Sequence, residues 1–168
     1  MIRTRYAVFC RHHSSLTNCA QITEYRFIKV TYESVVDWHV KTDYLRCNPQ
    51  FHRHPRYDFI IADIPSRGRI FARLVCVFVC HVNECDYHFA LVQALDKNTR
   101  TSTKSADKDL SIFRQRIRPR NRCEVIPLTC IIRGAVLAED IKHKDDYFVI
   151  DTVDEDMFLR VKKMYYEI

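Results

Sequence analysis

Glycine is almost missing from this chain: Gly68 and Gly134 are the only two among 168 residues. Such a sequence has no Gly-rich loop to cradle a phosphate, and many of its tight turns must rely on Asn, Asp and Pro. Long apolar runs are missing too. The longest, Leu74 to Cys80, falls far short of the ~20 residues that a membrane-crossing helix needs. After Arg3 and Arg5 comes only the short run Tyr6 to Cys10, followed by Arg11-His12-His13, which is not a secretory signal pattern. Nucleophile elbows and His-Glu-x-x-His motifs are also lacking. The eight cysteines sit in a chain too long for a small disulfide scaffold. They are expected to be mostly reduced thiols of an intracellular protein that makes no membrane contact. Neither catalysis nor a cofactor is expected.

What the chain does have is an ordinary hydrophobic content of 47%, enough for a real core, and a length that suits one domain. Its net charge is +6 and its pI about 8.9, a mildly basic balance that suits a polyanionic partner. The charge is uneven. Between Asp96 and Arg122, nine Lys/Arg face three acids; between Glu139 and Ile168, nine acids face five bases. The basic middle and acidic end can pair within one fold or mark two surfaces for different partners.

The basic middle contains a pattern. Arg114, Arg116, Arg118, Arg120 and Arg122 occupy every second position. On an extended strand, alternate side chains share a face. All five guanidinium groups would then project from one side, with Phe113, Ile117 and Pro119 on the other. Neighbouring arginines would lie roughly 6.6 Å apart, close to the phosphate spacing of an extended nucleic-acid strand. With Lys104 and Lys108 nearby, these residues form a candidate binding site for DNA or RNA phosphates. Phe113 faces away, so the stripe lacks an aromatic partner for base stacking. The bland reading is a charged edge strand that resists aggregation.

Strand signals dominate elsewhere. Residues 1–24 show no clear period and are expected to be poorly ordered, while residues 25–168 read as a single mainly-β domain. Tyr25 to Glu33, Tyr57 to Ile64, Arg69 to His81 and Tyr87 to Leu95 read as strands. Pro65-Ser66-Arg67-Gly68 reads as a turn. Val35 to Tyr44 is ambiguous, and Cys47 to Pro55, with two prolines, reads as a loop. Asp96 to Lys108 is a polar loop or insertion. Leu110 to Arg118 carries the arginines, and Pro119 ends that strand or places it at an edge. Glu124 to Leu128, Cys130 to Leu137 and Tyr147 to Asp151 complete seven to nine strands. Gly134 marks a bulge or a close backbone approach. Thr152 or Asp154 caps a terminal helix from about Glu155 to Met164. This helix either closes one end of the fold or docks a partner through Phe158, Leu159, Val161 and Tyr165.

Two clusters have a faint zinc character: Cys10, His12, His13 and Cys19; and Cys76, Cys80, His81, Cys85 and His88. Cys80-x(4)-Cys85 flanks an expected hairpin turn, which could bring its thiolates near His81 or His88, but Cys76 and Cys80 alternate with valines as core cysteines do. No metal is assigned. His52-x-His54 reads as part of the polar loop. Asp58, Asp63, Asp151, Asp154 and Asp156 have no spacing diagnostic of a nuclease, and capping explains the acids at the helix start.

Several blocks carry a resemblance. They are Arg56-Tyr57-Asp58, Phe71-Ala72-Arg73-Leu74, Ala90-Leu91-Val92-Gln93, Ile131-Ile132-Arg133-Gly134-Ala135 and Asp156-Met157-Phe158-Leu159-Arg160. Over roughly residues 25–163 the chain resembles the C-terminal region of transposon-derived fungal proteins of the Kyakuja-Dileera-Zisupton and Plavaka type. That resemblance implies a nuclear, DNA-related setting without an active site, and a fragment or decayed copy of a longer protein. The strand order also looks like a bromo-adjacent-homology-type small barrel, an architectural likeness only. The expected fold is therefore mainly β, a partly open small barrel with a short C-terminal helix. The expected function is a non-catalytic module contacting nucleic acid or chromatin. The alternative is a protein–protein or oligomerisation module that pairs basic and acidic surfaces between chains.

Overall fold

The computed structural model describes residues 5–16, 20–97 and 111–166, with side chains from Gln21 onward. The fold is mainly β with one short C-terminal helix, α1 (Glu155–Tyr166), and its antiparallel sheet does not close into a barrel. Twelve strands lie in the described residues, more than the sequence pattern marks. They are β1 (Arg5–Leu16), β2 (Ala20–Glu33), β3 (Val40–Phe51), β4 (His54–Tyr57), β5 (Phe59–Ile64), β6 (Gly68–Val82), β7 (Cys85–Lys97), β8 (Arg114–Ile117), β9 (Glu124–Pro127), β10 (Ile131–Ala135), β11 (Leu137–Glu139) and β12 (Asp146–Val149). β1 lies within the segment for which the sequence offers no period.

β6 organises the sheet. Its Val-, Ile- and Phe-rich sequence suits a strand buried on both faces. It pairs with β7 along one edge, and with β5 and then β2 along the other. A register shift between Leu74 and Cys76 marks a bulge. Before it, Ile70, Ala72 and Leu74 face the larger core; after it, Val77 and Val79 are the buried residues. The larger core lies against β2 and β3 (Ile28, Val30, Leu45, Cys47) and gathers Ile60, Val92, Ile126, Leu128 and Ile131. The opposite face of β5, β6 and β7 carries Ile61, Phe71 and Leu95. These pack with Phe113, Ile117, Tyr147 and Val149 and with Met157 and Val161 of α1. The terminal helix thus closes a second core.

Cys47 to Pro55 is not a loop. β3 continues to Phe51, turns at His52-Arg53 and returns as β4. Both turn residues have positive φ, 47° and 72°, as a two-residue hairpin requires. Asn83-Glu84 does the same between β6 and β7. Gly68, at φ 71°, serves the expected turn before β6.

A buried ion network ties α1 to the sheet. Asp154 caps the helix, accepting a hydrogen bond from the Met157 N–H at 2.7 Å, and takes both ends of the Arg133 guanidinium at 2.8–2.9 Å. Asp156 is fully buried. Its Oδ2 accepts from Arg133 (2.8 Å) and Arg160 (2.6 Å), and its Oδ1 accepts from the Val35 N–H (2.6 Å). Arg160 also donates to the Glu33 carbonyl. Burial alone would raise the Asp156 carboxyl pKa, but these hydrogen bonds hold it below the usual range. Asp154 sits at about 2, held down chiefly by Arg133.

This network predicts acid sensitivity. Both carboxyls titrate lower in the folded protein than in the unfolded chain, where Asp is near ~3.9. Their stabilisation is complete above that value and is lost as pH falls through the folded values. Asp43 works the other way, because burial raises its pKa. Urea midpoints should hold from neutrality to about pH 5 and fall steeply below about pH 4. A midpoint unchanged down to pH 2 would contradict the network's role.

Candidate nucleic-acid interface

The five alternate arginines do not form one stripe. β8 is short. It preserves the expected alternation, with Phe113, Gln115 and Ile117 buried and Arg114 and Arg116 on the other face. Pro119, which has no N–H to donate, ends the extended run. Residues 120–122 then form a 3-10 turn, closed by the Arg122 N–H on the Pro119 carbonyl at 2.9 Å. With three residues per turn, positions two apart no longer share a face.

The acidic end of the chain engages part of this basic segment. Arg114, with its side chain only 10% exposed, donates to Asp140 at 2.6 Å and lies 4.2 Å over the Phe148 ring. It fastens the turn between β11 and β12. Arg116, 51% exposed, stands 3.6 Å from Asp146. Arg118 makes a bidentate pair with Asp96, both contacts 2.8 Å, and a third contact with Glu124 at 2.8 Å. The Arg118 hydrogen bonds lower the Asp96 pKa, and Asp96 in turn raises that of Arg118. Arg120 and Arg122 are exposed and make no ion pair among the described residues. Lys104 and Lys108 lie outside the described residues.

The turn folds Arg116, Arg118, Arg120 and Arg122 around a cleft of about 870 Å³. Arg73 and Lys97 also line it, against Asp96, Glu139 and Asp145. Six cations thus oppose three acids, and Arg118 already occupies Asp96. Arg73 is set into the wall from β6. It donates to the Tyr147 hydroxyl at 2.5 Å and lies 5.1 Å over Phe59 and 5.4 Å over Tyr147, with no carboxylate partner among the described residues. Lys97 donates to the Met164 carbonyl at 2.8 Å. Sequence reasoning missed Arg73 and Tyr147. The available signal was a charged residue inside the apolar run Ile70 to Leu74.

No protein-family model matches this chain, and no curated protein matches it.

The other candidate groups stand apart. Among the described residues, no three His, Cys, Asp or Glu side chains come together to hold a metal ion. His81 bonds Thr23 and Asp86, facing away from Cys80 because successive strand residues alternate. Cys10, His12, His13 and Cys19 lie outside the described side chains. Asp58 accepts from the Arg46 N–H and pairs with Arg56, joining β3 to the β4–β5 corner. Asp63 approaches Arg69 at 4.0 Å. Asp154 and Asp156 serve the helix network.

Proposed function

We propose that this chain is a non-catalytic module that binds the phosphate backbone of nucleic acid in the basic cleft. The supporting observation is the gathering of Arg116, Arg120 and Arg122 at one cleft, two of them without an ion pair among the described residues and the third half-exposed. Guanidinium groups left in this state can take phosphate oxygens in bidentate fashion. Arg118 and Arg114 position the walls rather than the ligand. The resemblance to transposon-derived fungal proteins is consistent with such a module in a nuclear, DNA-related setting. The pairing of opposite surfaces between chains is a weaker reading, because Arg114 already meets Asp140, and Arg118 meets Asp96 and Glu124, within the chain.

The test compares the double variant Arg120→Ser/Arg122→Ser with Lys41→Ser/Arg69→Ser, which removes the same charge elsewhere. Fluorescence anisotropy would follow labelled oligonucleotides at ~50 mM salt. Each lost phosphate contact should weaken binding by about tenfold. The cleft variant should therefore lose about a hundredfold and the control little. Equal losses in both variants would reduce the effect to overall charge and sink the cleft.

A further inference from the structure

The outer face of β2, β3 and β4 lies opposite the larger core. A solvated antiparallel face is normally polar. This one alternates aromatic rings with cations. The rings of Phe27 and Tyr44 stack in parallel, 5.7 Å apart and 5° from coplanar. Arg46 lies 5.8 Å over Phe27 and 5.3 Å over Phe51, and Arg56 lies 5.1 Å over Phe51. Register places Lys29 directly opposite Tyr44. Tyr44 is 55% exposed. Lys29 and Arg46 have no carboxylate partner among the described residues, and Arg56 has only Asp58.

We infer that this face is a base-stacking platform, with Tyr44 as its most exposed ring, and that the nucleic acid bound is single-stranded. The inference rests on the proposed phosphate-binding cleft for its ligand class. Only an unpaired strand can offer base faces to such rings, because duplex bases are already stacked on each other. Cations among the rings favour a polyanion over an apolar peptide. A chain of ring contacts links the platform to the cleft. Tyr44, Arg56 and Phe59 line a second hollow of about 500 Å³. Phe59 packs 5.2 Å from Tyr147, and Arg73 lies over both rings. Arg73 and Tyr147 line the basic cleft, so Phe59 in the wall of one hollow packs against Tyr147 in the wall of the other. One strand can run its phosphates through the cleft and lay its bases on the sheet.

The test measures anisotropy with a labelled thymidine oligonucleotide, an abasic oligonucleotide of the same length, and a duplex. The proteins are wild type, Tyr44→Ala and Tyr44→Trp, each first shown to be folded by circular dichroism. The wild type should prefer the thymidine strand to the abasic one. Tyr44→Ala should lose about 5- to 100-fold for thymidine with little change for the duplex, and Tyr44→Trp should restore the loss. Thymidine binding within twofold of wild type in Tyr44→Ala would overturn the platform and leave the cleft standing. So would an equal loss on strand and duplex, or failure of Tyr44→Trp to rescue. No binding of any oligonucleotide by wild type would overturn the cleft reading and this inference with it.

Discussion

Replacing Asp156 by alanine should remove about 3–5 kcal/mol of stability. The carboxylate is fully buried between Arg133 and Arg160, whose side chains are themselves only 5% and 2% exposed. Deleting it leaves buried Arg160 with the Glu33 carbonyl alone and takes one of the three carboxylates around buried Arg133. The Val35 N–H loses its acceptor as well. Removing one partner of a buried ion pair is costly because the surviving charge is left uncompensated, whatever the intact pair contributes. Domains of this kind hold about 5–15 kcal/mol in total, so the variant should sit near its unfolding threshold. Asp154→Ala should cost less, about 1–2 kcal/mol, because Asp154 is partly exposed and Arg133 keeps Asp156 and Asp43 when the cap is lost. Urea unfolding at neutral pH checks both. A loss below about 1 kcal/mol for Asp156→Ala would mean that water or a rearranged Asp43 takes over the network.

Gly134→Val should be nearly as damaging, at about 3 kcal/mol, with Gly134→Ala nearer 1. A Cβ at this position would lie 2.8 Å from Cδ2 of buried Leu45 and 3.3 Å from Oδ2 of Asp43. Leu45 has little room to yield, since it is packed in the larger core. Asp43 is fixed by the Gly134 N–H at 2.9 Å and by Arg133. An alanine forces the Leu45 methyl or β10 to shift and Asp43 to give slightly; a valine adds branches that drive β10 away from β3. Thermal unfolding should rank wild type above alanine and alanine above valine. An alanine variant as unstable as the valine one would mean that the backbone, not Leu45, sets the limit.

The parts of this fold legible in the sequence were those with local causes. Pro65 to Gly68 marked its turn, and Thr152 or Asp154 marked the start of the helix, which Asp154 caps. The alternation from Phe113 to Ile117 gave the burial of β8, and Pro119 gave its end. Gly134 indicated a bulge or a close approach; it makes the close approach, to Asp43 and Leu45, which are far away in the chain. The hairpin at His52-Arg53 was hidden because two non-glycine residues take positive φ there without Asn-Gly or Asp-Gly chemistry. The meaning of the arginines was hidden for a different reason. Whether a guanidinium is available depends on carboxylates brought to it by the fold. Asp140 and Asp146 come from the acidic end and Asp96 from β7, so the even stripe divides into positioning arginines and available ones. Arg73 and Tyr147 meet only because β6 and β12 cover the same core.

The most direct test of the central claim is the salt dependence of wild-type binding to a labelled oligonucleotide, plotted as log affinity against log salt concentration. Contacts by Arg116, Arg120 and Arg122 predict a linear fall with a slope of about −2 to −3. Binding with a slope near zero, or no binding at low salt, would contradict a phosphate-binding cleft.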